Sequence, residues 1–198
     1  MSWKDYTERN PQTPEDMDSL CLKYYGVSRT EMNQRFVGDL PRDIRILEVG
    51  CGSGTNLELL FKMGFWNLYG IDRQTNGLEN AWQLGLYRVS YGEAEDIPFK
   101  DGWFDLVFTS GLLIHIPPED LPKVMDEIYR VSKRYIWGLE YYWPEITEIE
   151  SYRKKYGMGC WKGNYCTLFE KMGLKRKLVL RYKYLDSANV DECFLMMK

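Results

Sequence analysis

Apolar positions along this chain follow two rhythms. Met17, Leu20, Cys21 and Tyr24 recur at i, i+3, i+4 and i+7, the spacing of one helical face. Pro14-Glu15-Asp16 ahead of them supplies a first-turn proline and two acids for the positive end of the helix dipole, and Gly26 stops the helix. Ser28-Arg29-Thr30-Glu31 has capping-box spacing and starts a second helix with Met32, Phe36 and Val37 inward. From there short apolar runs alternate with helical patterns. Residues 45–49, 68–71, 86–90, 104–109 and 135–139 read as strands. Residues 55–63 and 77–84 read as helices, as does a segment opened by Pro118-Glu119-Asp120 with Leu121, Val124, Met125, Ile128 and Val131 inward. Such alternation predicts a parallel sheet with helices on both faces. Residues 140–163 break the rhythm, being rich in Tyr, Trp, Glu and Gly, and read as an irregular insertion with a short helix around 145–155. A helix near 165–172 ends at Gly173. Strands at 177–184 and 192–197 are too close for a right-handed crossover, so they form an antiparallel hairpin.

At 198 residues this is one domain: an N-terminal arm and helical cap over 1–40 and an α/β core over 41–198, with the insertion at 140–163. Aromatic residues reach 15 %, with 15 Tyr and 7 Trp. That suits a tyrosine-rich core and also an aromatic-walled pocket. A net charge of −3 argues against a nucleic-acid footprint. The basic runs Arg153-Lys154-Lys155 and Lys175-Arg176-Lys177 read as solvated turns. The 5 cysteines have no CxxC pair and His115 is the sole histidine, so no metal centre is expected. Reduced thiols and the lack of an apolar leader or membrane-length run point to the cytoplasm, with no membrane partner, as a monomer or homodimer.

One segment changes this picture. The apolar run Ile46 to Val49 enters Gly50-Cys51-Gly52-Ser53-Gly54, a helical stretch follows, and the next apolar run ends at Asp72. Strand, glycine loop, helix, strand and acid make a mononucleotide-binding half of an α/β sheet. A dinucleotide site would place its third glycine where Thr55 stands. The spacing here is E-x-G-x-G-x-G, with Glu48 two residues before the first glycine. An acid there suits an ammonium group and repels a pyrophosphate. Asp72, acceptor-only, can take both ribose hydroxyls.

These residues resemble the class I S-adenosylmethionine (SAM)-dependent methyltransferases. Glu48 to Gly54 matches the family's first motif and Asp72 its ribose acid; Gly92 to Phe99 is similar to its adenine-side loop and Phe104 to Ser110 to its fourth motif. The resemblance implies a Rossmann-like, mostly parallel seven-stranded sheet with an antiparallel last strand. It implies a cofactor site of Glu48, Gly50, Cys51, Gly52, Gly54, Asn56, Asp72 and Arg73, with Glu93 or Glu95 and the Ala94 amide toward adenine. Thr109 and Ser110 would lie beside the methionine moiety and the methyl group. Over nearly the whole chain, Tyr6 to Asn10, Tyr25 to Asn33, Ser110 to Ile116, Tyr135 to Tyr142 and Trp161 to Gly163 look like the pseudaminic acid biosynthesis-associated methylase family.

Methyl transfer from a sulfonium is an in-line displacement whose catalysis is mainly alignment. It needs a base only if the nucleophile carries a proton. His115, after the fourth strand, and Glu140, ending the fifth, are the candidate bases. Tyr6, Arg9, Arg29, Tyr141, Tyr142 and Trp161 are candidate substrate contacts, Arg9 and Arg29 for a carboxylate on cofactor or acceptor. The expectation is a SAM-dependent methyltransferase, releasing S-adenosylhomocysteine (SAH), that acts on a small molecule such as a sugar acid or nucleotide sugar. The alternatives are methylation of a peptide or natural product, and a SAM- or SAH-binding regulatory module without catalysis.

Overall fold

The computed structural model describes residues 10–86 and 88–198. Tyr6 and Arg9 lie outside them. Two helices come first, α1 (Pro14–Tyr25) and α2 (Arg29–Val37). The Thr13 hydroxyl accepts from the Asp16 amide to cap α1, and Ser28 with Glu31 forms the full capping box of α2. On α1 the sequence expectation fails at Leu20, which is exposed, whereas Cys21 is buried. The helix turns its Cys21–Tyr25 side to the sheet, and Tyr25 packs there.

The sheet is assembled from β1 (Ile46–Val49), β2 (Leu68–Asp72), β3 (Val89–Tyr91), β4 (Phe104–Ser110), β5 (Ser132–Tyr141), β8 (Lys175–Lys183) and β9 (Val190–Met197). Its order is β3-β2-β1-β4-β5-β9-β8. β3, β2, β1, β4 and β5 run parallel, and β9 is antiparallel to both β5 and β8. This is the Rossmann-like seven-stranded architecture with an antiparallel last strand. Helices α3 (Thr55–Lys62), α4 (Thr75–Gln83), α5 (Leu121–Val131) and α7 (Tyr165–Lys171) flank it. β6 (Thr147–Glu148), α6 (Glu150–Tyr156) and β7 (Trp161–Lys162) make up the insertion, where β6 and β7 pair as a small antiparallel ribbon.

Element boundaries move where hydrogen bonding outweighs the apolar pattern. β5 is twice the length expected, because it is laddered on both sides, to β4 and to β9. β3 begins only at Val89, where its ladder to Gly70 begins. Helix α5 starts at Leu121 rather than Pro118, since the Asp120 and Leu121 amides both turn back to the Pro117 carbonyl. The β6–β7 ribbon was not expected at all; two residues a side leave no alternating pattern to read.

Side chains alternate across the strands, so the two sheet faces build two cores. One holds Leu47, Val49, Val107, Ile136, Phe194 and the inner face of α5. The other holds Ile46, Leu106, Phe108, Trp137, Cys193 and Leu195 beneath α2 and α3. In the first core Gly138 of β5 lets Phe194 of β9 cross it closely: a Cβ there would lie 2.3 Å from the ring. Gly138→Ala should therefore destabilise the fold by about 1–3 kcal/mol through overpacking. The midpoint of urea unfolding reads this directly, and an unchanged midpoint would mean the ring has room to move.

Candidate functional site

β1 ends in a turn that only glycine makes without strain. Gly50, Gly52 and Gly54 have φ of 76°, 50° and 77°. A Cβ on Gly50 would press on Leu112 at 2.9 Å, whereas one on Gly52 would meet nothing within 4 Å. The Gly50 and Cys51 amides both donate to the Ile71 carbonyl, at 2.8 and 3.0 Å. The Gly52 amide donates to Asp72 Oδ2 at 2.8 Å, and the Gln74 amide to Oδ1 at 2.7 Å. Asp72 is thus locked to the loop and keeps lone pairs for a ligand. The Ser53 and Thr55 hydroxyls donate to the Pro11 carbonyl at 3.2 and 3.0 Å, so the segment before α1 is strapped across the turn.

In front of the turn lies an open cleft. Gly50, Asp72, Arg73 and Gln74 form one wall; Gly92, Ala94 and Glu95 a second; Ser110, Leu112, His115 and Ile116 a third, and Asn10 also lines it. Of the expected cofactor residues, Gly50, Asp72, Arg73, Ala94, Glu95 and Ser110 face this space. Cys51, Gly52 and Gly54 shape the turn. Two expectations need correcting. Glu93 accepts from the Tyr91 hydroxyl and is not among the lining residues, Glu95 being the acid that is. Thr109 is buried and hydrogen-bonds Glu140, because alternation along β4 turns it away from Ser110.

Glu48 and Asn56 sit beneath the turn. Glu48 is 1 % exposed; its Oε1 accepts from Asn56 Nδ2 at 2.8 Å, and its Oε2 has no partner. Burial pushes this carboxyl up to about 8, with Asn56 and the charge of Arg29 opposing the rise. Arg29, also 1 % exposed, donates from Nε to Asn33 Oδ1 at 3.1 Å and lies over the Trp137 ring, 5.3 Å from its centroid. Arg29 NH2 and Asn33 Nδ2 are buried without acceptors. Asn33 was not foreseen; a polar residue one turn after Arg29 on the inward face of α2 was the available signal.

The remaining candidates divide. Glu140 stands behind the cleft wall, 2 % exposed, and accepts from the Leu112 and Ile114 amides at 3.3 and 3.4 Å. Its carboxylate holds the turn that follows β4, so it is a positioning residue and not a base facing the cleft. His115 borders the cleft and a second, more open one that Arg153 and Trp161 also line. His115 Nδ1 is 3.2 Å from the Gly159 carbonyl. A carbonyl only accepts, so Nδ1 carries the proton and Nε2 is the acceptor nitrogen. Burial lowers the imidazole below its ordinary value and keeps it neutral. Tyr141 stacks on Tyr184 at 5.8 Å, and Tyr142 lies under Arg181; neither lines these clefts.

Residues 47–135 match the family described as a methyltransferase domain. An uncharacterized methyltransferase, sll0829 of Synechocystis, is 33 % identical over 45 % of this chain and 42 % of its own length. The chain's matches span from about two fifths to half of the first curated relatives. Among solved structures, the PH0226 protein of Pyrococcus horikoshii has a TM-score of 0.71 at 16 % identity, covering 99 % of both chains. Geranyl diphosphate C-methyltransferase of Streptomyces coelicolor, solved with Mg2+, geranyl diphosphate and SAH, has a TM-score of 0.69 at 12 % identity over 85 % of this chain and 76 % of that one. The matched region is thus similar to a methyltransferase domain, and the chain shares its fold with a methyltransferase solved with SAH.

The buried acids set a pH dependence. Glu48 and Glu140, raised to about 8 and about 7, bind protons in the folded ligand-free chain that the unfolded chain has released. Folding stability should therefore fall as pH rises from the ordinary carboxylate range through about 8. His115, lowered, acts oppositely and only below its ordinary value. Melting temperature across pH 5–9 checks this, with Glu48→Gln expected to flatten the decline.

Proposed function

We propose that the chain is a SAM-dependent methyltransferase that methylates a small molecule, with its cofactor laid from Glu95 to Arg29. The observation that carries this is the set of buried polar atoms without partners. A methionine moiety ends in an ammonium and a carboxylate. Glu48 Oε2 is an orphaned acceptor for the first; Arg29 NH2 and Asn33 Nδ2 are orphaned donors for the second. Buried polar groups are rarely left unpaired, so a zwitterion there removes three anomalies together. On this reading Asp72 holds the ribose hydroxyls, the Ala94–Glu95 wall the adenine, and the glycine turn admits the chain between them. The bound cofactor supplies an electrophilic methyl on a sulfonium. The protein's own part is to hold that methyl in line with the nucleophile and to keep water out.

His115 shares its wall with Ala94 and Glu95, the adenine end. Its role on this reading is to tie the insertion to the cofactor through Gly159, rather than to take a proton from the acceptor.

Calorimetry tests the placement. SAH should bind, and Asp72→Ala should weaken it by about 100-fold, the loss of two charge-assisted hydrogen bonds. Pairing an ammonium with Glu48 requires the carboxylate to ionise. Binding at pH 7 should therefore release close to one proton, read from enthalpies in buffers of different ionisation heat, and Glu48→Gln should release almost none. Tight NAD binding with no SAH binding would sink the reading.

A further inference from the structure

Among the buried polar atoms that the proposed cofactor leaves without a partner, one belongs to an acid set among tyrosine rings. Asp191, 8 % exposed at the start of β9, has an Oδ1 without a partner. Its Oδ2 accepts from the Tyr25 hydroxyl at 2.5 Å and from the Tyr184 hydroxyl at 3.3 Å. Tyr184 meets Tyr25 edge-on at 5.1 Å and stacks on Tyr141 at 5.8 Å. A carboxylate among phenol rings has shed its water, and no cation is within ion-pair distance of it in the described residues. Arg29 acts on it only through space.

Its place in the sheet is on the cofactor's side. Cys193, two residues on, shares a core with Ile46 and Phe108, whose own i+2 neighbours are Glu48 and Ser110. Alternation therefore puts Asp191, Glu48 and Ser110 on one sheet face. Ser110 pairs with Leu139 and Leu139 with Cys193, so β9 is two strands, roughly 10 Å, from the cleft-lining Ser110. Asp191 stands opposite Tyr141, at the rim where the parallel strands end.

We propose that Asp191, with Tyr25, Tyr141 and Tyr184, is the acceptor subsite, and that the acceptor it takes is a small amine bound as its ammonium. This rests on the methyltransferase reading above. A cation answers both features of the site, since the carboxylate is uncompensated and ring faces attract positive charge. A neutral hydroxyl would leave the buried charge unpaired, and an anion would be repelled. Asp191 also provides for the step that follows. One N–H proton passes to its carboxylate, the nitrogen lone pair forms the new N–C bond, the C–S bond breaks, and its electron pair stays on sulfur as a thioether.

The test uses the full chain saturated with SAH and two probes of the same shape, 2-(dimethylamino)ethanol, cationic at pH 7, and its neutral carbon isostere 3-methylbutan-1-ol. Binding is followed by NMR titration. The amine should bind at least 10-fold more tightly than the alcohol, and Asp191→Asn should remove that preference while SAH affinity stays within about 2-fold. Should Asp191→Asn fail to fold, Tyr184→Phe serves, with a smaller loss of the same preference. Equal binding of the two probes, no amine binding, or an unchanged preference in the variants overturns the subsite. Failure of the wild-type chain to bind SAH at the outset overturns the cofactor reading instead.

Discussion

Most of this site follows from one constraint: ionisable groups kept away from water on a single face of the sheet. Glu48, Arg29 and Asp191 are each at least nine-tenths buried, and none of them pairs with another within ion-pair distance. Burying ionisable groups without partners is costly, whether the group stays charged or, like Glu48, takes up a proton instead, so such a row is maintained only where a ligand completes it. The fold has spent local structure to hold it open. Asn56 donates one hydrogen bond to Glu48 and Asn33 accepts one from Arg29, and each stops short of satisfying its partner. Trp137 lies under Arg29 as a flat floor, and its own indole N–H is directed to Cys193. A chain selected for stability alone would fill these positions with leucines. The arrangement makes sense as a cradle that is complete only when a ligand of complementary charge is bound.

The same logic separates the acids by role. Glu140 is as buried as Glu48, and both are raised by desolvation. Yet Glu140 is met by backbone amides and by Thr109, whereas Glu48 keeps an oxygen idle. A raised pKa alone would rank them as equal candidates for chemistry. The hydrogen-bond inventory distinguishes them: one acid holds a turn, and the other waits for a partner.

The glycine turn and Asp72 were legible in the sequence because their function is a backbone property. Positive φ at alternate positions requires glycine, and an acid two strands' connection later must end the neighbouring strand. The sheet was legible for the same kind of reason, since apolar runs report burial on both faces. Glu140 and Thr109 were misread because adjacent strand residues point to opposite faces, and the chain does not announce which face holds the cleft. Asn33 and Asp191 were missed for a different reason. Each is a single polar residue in an otherwise inward-facing pattern, and its meaning depends on strands and helices far away in sequence, Asp191 on Tyr25 across 166 positions. No local rhythm encodes that meeting.

Arg29 links the two halves of the proposed site. Its charge lowers both Glu48 and Asp191, so it is shared electrostatically between cofactor end and acceptor end. When a cofactor carboxylate takes up that guanidinium, part of its field at Asp191 is cancelled. Asp191 is then more nearly an uncompensated carboxylate, with more to gain from an incoming ammonium and a stronger pull on its proton. The coupling is reciprocal, so each ligand favours the binding of the other without any moving part. Substituting Arg29 by a neutral residue would uncouple the two ends even where each still bound its own ligand.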